Sequence, residues 1–93
     1  MLLKNSFDYD KITGSAVIRT RCEGDKIRLA NRGITKSLKK IFCEETIRKE
    51  IRNRLPEIAD DKGVIWVYGI GVSERVKVDD NTKNIIVVNV REI

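Results

Sequence analysis

Lysine and arginine are the side chains in this sequence that could do chemistry, and the chemistry they offer is the binding of anions. Residues 17–54 contain twelve Lys/Arg and five Asp/Glu, a net charge of +7. The rest of the chain contains seven basic and nine acidic residues, a net charge of −2. A basic excess confined to one stretch is typical of a surface for a polyanion, because each phosphate that is neutralised releases condensed counterions.

Five basic residues cluster in sequence on a predicted strand, a loop and the start of a helix: Arg28, Arg32, Lys36, Lys39 and Lys40. Cations at the first turn of a helix cost about a few tenths of a kcal/mol each, unless an external anion lies nearby. We therefore predict that this cluster binds phosphate groups, with an ordinary solvated basic face as the alternative. Arg48 and Arg52, on the following helical segment, are further candidates for RNA contact; their alternative is pairing with glutamates of the same helix.

The usual general base of enzymes is missing from this chain, and no nucleophile–base pair is visible in its sequence. The chain has no histidine and two cysteines, Cys22 and Cys43. It therefore lacks the usual general base, and two thiolates make neither a four-ligand zinc site nor a disulfide framework. Gly69-Ile70-Gly71 lacks the third glycine of a dinucleotide-binding loop. We predict no catalytic residue, metal site or cofactor site in this chain.

The first half of the chain predicts two strands followed by two helices. Alternation over residues 15–22 predicts a strand with Ile18 facing inward and Arg19 outward, and residues 26–30 return as its hairpin partner around the turn at 23–25. Thr35 or Ser37 can cap the first helix, in which Leu38, Ile41 and Phe42 recur at helical spacing. Lys36, Lys39 and Lys40 are expected on the opposite face of that helix. A second short helix should end before Pro56.

The second half predicts two β-hairpins, at residues 57–68 and 72–90, with a bulge or bend at Gly69 and Gly71. The resulting order ββααββββ is that of an α+β domain with a largely antiparallel sheet, or a partly open barrel, and both helices on one side. Asp60-Asp61 and Asp79-Asp80 fall in predicted turns, where aspartate bonds the backbone.

Ninety-three residues fit one domain, with residues 1–12 as a lead-in that includes a short strand near residues 3–7, and residues 13–91 as the globular core. No apolar run approaches the roughly twenty residues of a membrane span, and we expect a cytoplasmic protein with no membrane partner. Four aromatic residues, Phe7, Phe42, Trp66 and Tyr68, could stack on bases, but three of the four fall on core-facing patterns, which disfavours an aromatic platform for single-stranded RNA. RNA gripped by its backbone fits the sequence better.

An ordered series of residues resembles the C-terminal domain of bacterial tRNA(Ile)-lysidine synthetases. The series consists of Gly24-Asp25-Lys26-Ile27-Arg28-Leu29, Gly33, Ser37-Leu38-Lys39-Lys40-Ile41-Phe42, Arg52, Pro56, Val67-Tyr68-Gly69-Ile70-Gly71 and Glu74-Arg75. It runs over residues 20–76, which is most of the chain. No single short motif in it is diagnostic, and the order of the elements carries the resemblance.

The resemblance implies a parent enzyme that uses ATP to attach lysine to the wobble cytidine of an isoleucine tRNA. ATP, lysine and Mg would bind an N-terminal domain with a Ser-Gly-Gly-x-Asp-Ser loop, which this sequence does not contain. The implied partners are tRNA(Ile), near its acceptor stem, and that N-terminal catalytic domain. The competing hypothesis is a basic module for protein–protein contact, including formation of a homodimer.

Carried over by resemblance, four residues would contact the tRNA stem: Arg28, Lys39, Lys40 and Arg52. Gly24 and Gly33 would be turn residues. Members of the family often have proline after the hydrophobic residue that opens the second helix, whereas Arg48 follows Ile47 here. Arg48 would then be a local addition to the basic face.

Overall fold

Antiparallel sheets and two short helices form the structure, a computed structural model that describes residues 5–91. The strands are β1 (Ser6–Asp8), β2 (Val17–Arg19), β3 (Lys26–Arg28), β4 (Thr35–Ser37), β5 (Glu57–Asp60), β6 (Gly63–Val67), β7 (Gly71–Val72) and β8 (Ile85–Val87). The helices are α1 (Leu38–Glu44) and α2 (Lys49–Arg52), and single 3-10 turns cover Tyr9–Lys11 and Glu74–Val76. The predicted α+β class and the antiparallel pairing are confirmed.

Four strands form the largest sheet, in the order β2-β5-β6-β7, and the pairs β3–β4 and β1–β8 form two smaller sheets. The predicted hairpin of β5 and β6 is confirmed, with an irregularity in the register between Ile58 and Ala59. The predicted bulge or bend at Gly69 and Gly71 is a turn: Gly69 lies in the turn after β6 and Gly71 begins β7, and both have positive φ, of 75° and 141°.

The predicted pairing of the first two strands is wrong. β2 pairs with the distant β5, with Val17 opposite Ala59, and β3 pairs with β4. The loop between β3 and β4 turns back tightly because Asn31 and Gly33 both have positive φ, of 65° and 71°. The inward orientation of Ile18 is also wrong: its exposed fraction is 75%, because β2 lies at the open edge of the four-stranded sheet.

The predicted hairpin over residues 72–90 is wrong as well. β7 has two residues and is followed by a 3-10 turn that Ser73 caps, and β8 pairs with β1 at the other end of the chain. Phe7, in the middle of β1, is 1% exposed and packs in the same cluster as Trp66. The core therefore includes residues of the segment that we treated as a lead-in. Residue 3, where we expected that strand to begin, lies outside the described residues.

Two apolar clusters make up the core. One cluster contains Phe7, Ile58, Ile65, Trp66, Val72 and Val76. The other contains Ile27, Leu38, Ile41, Phe42, Val64 and Val67, with Ile47 and Leu55 packed against it. β6 contributes to both clusters, and four of its five residues are buried, as expected of a strand covered on two faces. α1 packs on the second cluster, and Ile47 and Leu55, which lie on either side of α2 in the sequence, pack against the same cluster.

The local features of the helices match the sequence pattern. Ser37 is the N-cap of α1, since its Oγ accepts a hydrogen bond from the Lys40 amide at 3.1 Å. Leu38, Ile41 and Phe42 are its buried residues. Lys36, predicted on this helix, lies instead in β4. None of the helices in residues 5–91 is long and apolar enough to cross a membrane.

Candidate nucleic-acid interface

The β3–β4 hairpin divides the predicted basic residues between its two faces. Residues directly opposite in an antiparallel pair share a face, and neighbours along a strand alternate. Ile27 lies opposite Lys36 and is buried in the cluster with α1, so Lys36 is on the face toward α1. Arg28 lies opposite Thr35 on the other face. The single convergent cluster that we predicted is therefore split in two.

Cations line two neighbouring grooves, the first of which includes Arg28. One groove, with a volume of about 340 Å³, is lined by Lys26, Arg28, Lys62 and Arg75 among others, and a second by Arg21 and Lys39. Both grooves include Gly24 and Asp25, so they meet at this turn. We call the following set the basic stripe: Arg21, Lys26, Arg28, Lys39 and Lys62. Within residues 5–91 none of the five forms an ion pair.

Two residues of the basic stripe, Arg21 and Arg28, interact with neighbouring side chains. The Nε of Arg21 donates to Asn53 Oδ1 at 3.0 Å, and its guanidinium lies 5.5 Å from the centre of the Phe42 ring. This cation–π contact fixes the guanidinium without neutralising it. The charge of Arg28 contributes to the lowered pKa of Glu74, after the larger effects of hydrogen bonds from Lys77 and the Asn31 amide. Both cations remain available to an external anion.

Sequence reasoning missed Arg21, Lys26 and Lys62 as site residues. Lys26 and Arg28 flank the buried Ile27 at a spacing of two, which in a strand places them on one face. That signal was present in the sequence and could have found Lys26. Lys62 comes from the turn between β5 and β6, and no local pattern connects that turn to β3. Only the tertiary fold brings it to the groove.

Arg32 and Lys36 lie on the opposite face of the hairpin, in a cavity that they share with Glu44 and Glu45. Lys36 Nζ is 3.0 Å from both carboxylate oxygens of Glu44, so its charge is largely compensated within the molecule. Arg32 is exposed and forms no ion pair in the part of the chain that the structure describes. This face is consequently less cationic than the basic stripe.

The remaining candidates have mixed surroundings. Arg52 is half-buried, and its Nε donates to the Ile47 carbonyl at 2.7 Å, which closes the connection between α1 and α2. Arg48 lies 3.4 Å from Glu50, but both side chains are largely exposed, so the pair contributes little. Lys40 is exposed and lines neither groove. Among these three, Arg52 has a clear structural role.

The start of α1 offers fewer free amides than we expected. The Leu38 amide donates to the Asp25 carbonyl at 3.0 Å, and the Lys40 amide donates to the Ser37 hydroxyl. Two of the amides that would attract a phosphate are therefore already bonded within the protein. Anion binding at this surface depends on side chains.

Arg75 lines the first groove and is bound to the buried Asp60. The buried Asp60 carboxylate accepts two hydrogen bonds from the Arg75 guanidinium, at 2.7 and 2.9 Å, and others from the Thr13 and Lys62 amides. Burial by itself would raise the pKa of Asp60, but these hydrogen bonds outweigh it and hold the pKa at about 2. Asp60 is the last residue of β5, next to the turn, and its side chain bonds the backbone as expected. Its hydrogen bond from the Lys62 amide fixes the position of Lys62 beside the first groove.

Asp60→Asn is expected to lower the free energy of unfolding at pH 7 by about 2 kcal/mol, because one pKa unit corresponds to about 1.4 kcal/mol. The folded-state pKa lies below the unfolded value of 3.8. The stabilisation is therefore present above pH 4 and is lost as the pH falls toward 2. Urea unfolding at pH 7 and pH 2.5 should show a large difference between the variant and the parent only at pH 7. Asp61→Asn, at the exposed neighbour, is the control, and an equal loss in both variants at pH 7 would contradict the assignment.

The antiparallel fold and the stripe of unpaired cations together define the chain as a small basic α+β domain. Comparison with protein families makes this more specific, since the model of the TilS substrate C-terminal domain matches residues 16–90. The chain belongs to the family of TilS substrate C-terminal domains.

Individual relatives agree with this membership. The chain is 45% identical over 83 residues to a tRNA(Ile)-lysidine synthase of Caldanaerobacter subterraneus subsp. tengcongensis, covering 88% of this chain and 18% of that protein. It is 40% identical over 96 residues to a tRNA(Ile)-lysidine synthase of Clostridioides difficile, covering 100% of this chain and 20% of that protein. A crystal structure of a TilS C-terminal domain superimposes with a TM-score of 0.73 at 30% identity, covering 88% of this chain and 65% of the other. The chain thus spans about a fifth of the length of these synthases.

Proposed function

We propose that this chain is the tRNA-binding part of a tRNA(Ile)-lysidine synthase and helps to position tRNA(Ile) for modification. The observation that carries the proposal is the basic stripe, five cations along two neighbouring grooves, none of which forms an ion pair within residues 5–91. Membership of the family supports tRNA as the polyanion, since the full-length relatives are named as tRNA(Ile)-lysidine synthases.

In the proposed complex the domain grips the backbone of the acceptor stem. The stripe is made of long cationic side chains, which neutralise phosphates without reading bases. Three of the four large aromatic side chains considered as stacking partners are 1% exposed, and Tyr68 is the fourth, at 42%. This arrangement favours helical RNA over unstacked single strands. Within the parent enzyme, ATP, lysine and Mg would bind the remaining part of the protein. The modification of the tRNA would take place in the cytoplasm.

The direct test compares binding of the 93-residue chain to a tRNA acceptor hairpin and to duplex DNA of equal length, by fluorescence anisotropy. We expect tighter binding to the RNA. For about five phosphate contacts, the logarithm of affinity should fall against the logarithm of salt concentration with a slope of about −4 to −5. Equal affinity for both duplexes, or a slope near zero, would contradict the proposal.

Lys39 and Lys40 provide a matched pair of variants on one helix. Lys39 lines the second groove, whereas Lys40 lines neither, although sequence reasoning assigned both to the RNA. We expect Lys39→Ala to reduce the magnitude of the salt slope by about one unit, the value for one phosphate contact, and Lys40→Ala to change it less. The measurement is the same anisotropy titration over a series of salt concentrations. A larger change for Lys40→Ala would mean that the RNA lies on the side of α1 that faces away from the second groove.

A second candidate function is protein–protein contact through β2. This strand is the open edge of the four-stranded sheet, and its Val17 and Ile18 are 53% and 75% exposed. Exposed apolar side chains on an unpaired edge favour addition of another strand. Sedimentation velocity over a concentration series, with and without the acceptor hairpin, separates the two functions. Self-association that Ile18→Lys abolishes, together with no RNA binding, would favour the second candidate.

A further inference from the structure

Three charged side chains meet beneath the turn that joins the two grooves. Arg19 in β2 places its Nη2 3.0 Å from Asp25 Oδ1 and 3.5 Å from Glu57 Oε2. Glu57 lies directly opposite Arg19 in the sheet and is 1% exposed. Neither carboxylate oxygen of Glu57, nor the Nε of Arg19, has a hydrogen-bond partner within residues 5–91. The cluster therefore contains two carboxyl groups and one guanidinium, with its buried member incompletely bonded.

A proton completes this arrangement. A buried carboxylate without hydrogen bonds is costly, whereas a protonated carboxyl group can donate to a neighbouring carboxylate. Burial, together with the nearby Asp25 carboxylate, raises the pKa of Glu57 to about 7, and Arg19 only partly opposes these two effects. Two adjacent carboxyl groups that share one proton are the usual outcome of such surroundings. The Asp25 carboxylate, which shares Arg19 with Glu57, would be the acceptor here.

Asp25 connects the cluster to both grooves. Its Oδ2 accepts from the Cys22 amide at 2.8 Å, and its own amide donates to the Cys22 carbonyl at 3.1 Å. Its carbonyl accepts from the Leu38 amide, the first of α1, at 3.0 Å. Gly24, with φ of 84°, completes the turn, and Gly24 and Asp25 line both grooves. A displacement of the Asp25 carboxylate would therefore move the turn and the start of α1 together.

We propose that Arg19, Asp25 and Glu57 are positioning residues for the RNA interface, in which a proton held between the Glu57 and Asp25 carboxyl groups fixes the turn that joins the two grooves. The proposal rests on the RNA-binding function proposed above and adds its regulation by pH. When Glu57 loses the proton, two carboxylates face a single guanidinium, and their repulsion displaces Asp25. The position of Lys26 in the first groove then changes relative to that of Lys39 in the second groove.

The groups that face Glu57 come from three elements. Arg19 faces it from β2 and Asp25 from the turn, while β6 presents the apolar Val67 opposite it. The chain has no histidine that could account for a change in this pH range. The thiol of Cys22 lies 3.0 Å from Arg19 Nη1 and therefore needs a control of its own.

The experiment follows the protein by NMR and by RNA affinity over pH 5.5 to 8.5. In the unmodified chain, the carboxyl carbon of Glu57 and the amides of Gly24 and Leu38 should titrate together. Affinity for the acceptor hairpin should fall about tenfold between pH 6 and pH 8, the change expected for about 1.4 kcal/mol. Glu57→Gln keeps a hydrogen-bond donor without the charge, so its affinity for the acceptor hairpin should be independent of pH.

The controls are Glu23→Gln, at an exposed glutamate of the same turn, and Cys22→Ser. Both should keep the pH dependence of the parent. If the Gly24 and Leu38 amides do not follow the Glu57 titration, the positioning role is wrong, whatever the RNA affinity; this measurement needs no variant to fold. If the amides follow it but RNA binds equally at both pH values, the role is also wrong, although the RNA-binding function stands. Absence of RNA binding at every pH would overturn both.

Discussion

Phe7→Ala is expected to lower the free energy of unfolding by about 3–5 kcal/mol, the usual cost of removing a buried aromatic ring. Phe7 is 1% exposed and packs with Trp66 and Val76, both of which are buried to a similar degree. Phe7 pairs with Ile86 in the small sheet, and its ring packs in one cluster with Trp66 of β6. The ring therefore connects β1 and β8 to the larger sheet. A domain of this size has a total stability of roughly 5–14 kcal/mol, so the loss is a large part of it.

Urea unfolding followed by Trp66 fluorescence measures this loss. Tyr9→Ala is the matched control, because Tyr9 is two residues away but 57% exposed, and its removal should change the stability by less than about 0.5 kcal/mol. Similar small losses in both variants would mean that the segment before residue 13 is a lead-in after all. Such a result would also remove β8 from the fold, since β1 is its only partner strand among the described residues.

The double charge reversal Lys26→Glu with Arg28→Glu should weaken binding of the acceptor hairpin by about 100-fold at moderate salt. Both side chains lie on the exposed face of β3, two residues apart, and line the same groove. The change removes two cations and places two anions where phosphates are expected, so attraction becomes repulsion. Ile27 is untouched, and exposed substitutions on a strand should leave the fold intact. Fluorescence anisotropy gives the affinity, and circular dichroism checks the fold.

Two comparisons make this result specific. Lys83→Glu, in the loop before β8 and outside both grooves, reverses one charge away from the proposed interface and should weaken binding only slightly. Arg32→Glu with Lys36→Glu reverses the same number of charges on the opposite face of the hairpin. We expect this pair to have the smaller effect, because Lys36 is already neutralised by Glu44. If it has the larger effect, the RNA lies on the face of the hairpin that carries Arg32 and Lys36, and the basic stripe is not the interface.

The pKa values of two buried carboxyl groups shift in opposite directions because their neighbours differ. Asp60 and Glu57 are both in β5 and both buried. Asp60 receives a bidentate guanidinium and two backbone amides, which keep it ionised, whereas the Glu57 oxygens receive no hydrogen bond within the described residues. Their pKa values therefore move in opposite directions. In the sequence both are merely acidic residues of one short strand.

The sequence by itself determined the local structure of the chain. Leu38, Ile41 and Phe42 set the buried face of α1 by their spacing, and Ser37 set its start by capping. The hairpin of β5 and β6 followed from two apolar runs around a short turn. The excess of cations between residues 17 and 54 was visible from composition alone. These features depend on neighbours within a few residues, where steric and hydrogen-bonding preferences act directly.

The tertiary structure alone decided which distant segments meet. β1 pairs with β8, and Lys62 joins Arg28 at one groove, although no short-range pattern connects either pair. Arg19, predicted on an open basic face, is instead turned toward Asp25 and Glu57. Strands of similar composition can pair in many combinations, and the choice depends on which combination buries Phe7, Trp66 and Val67 together with their neighbours in closed apolar clusters. That burial is a property of the whole chain, so no local pattern can specify it.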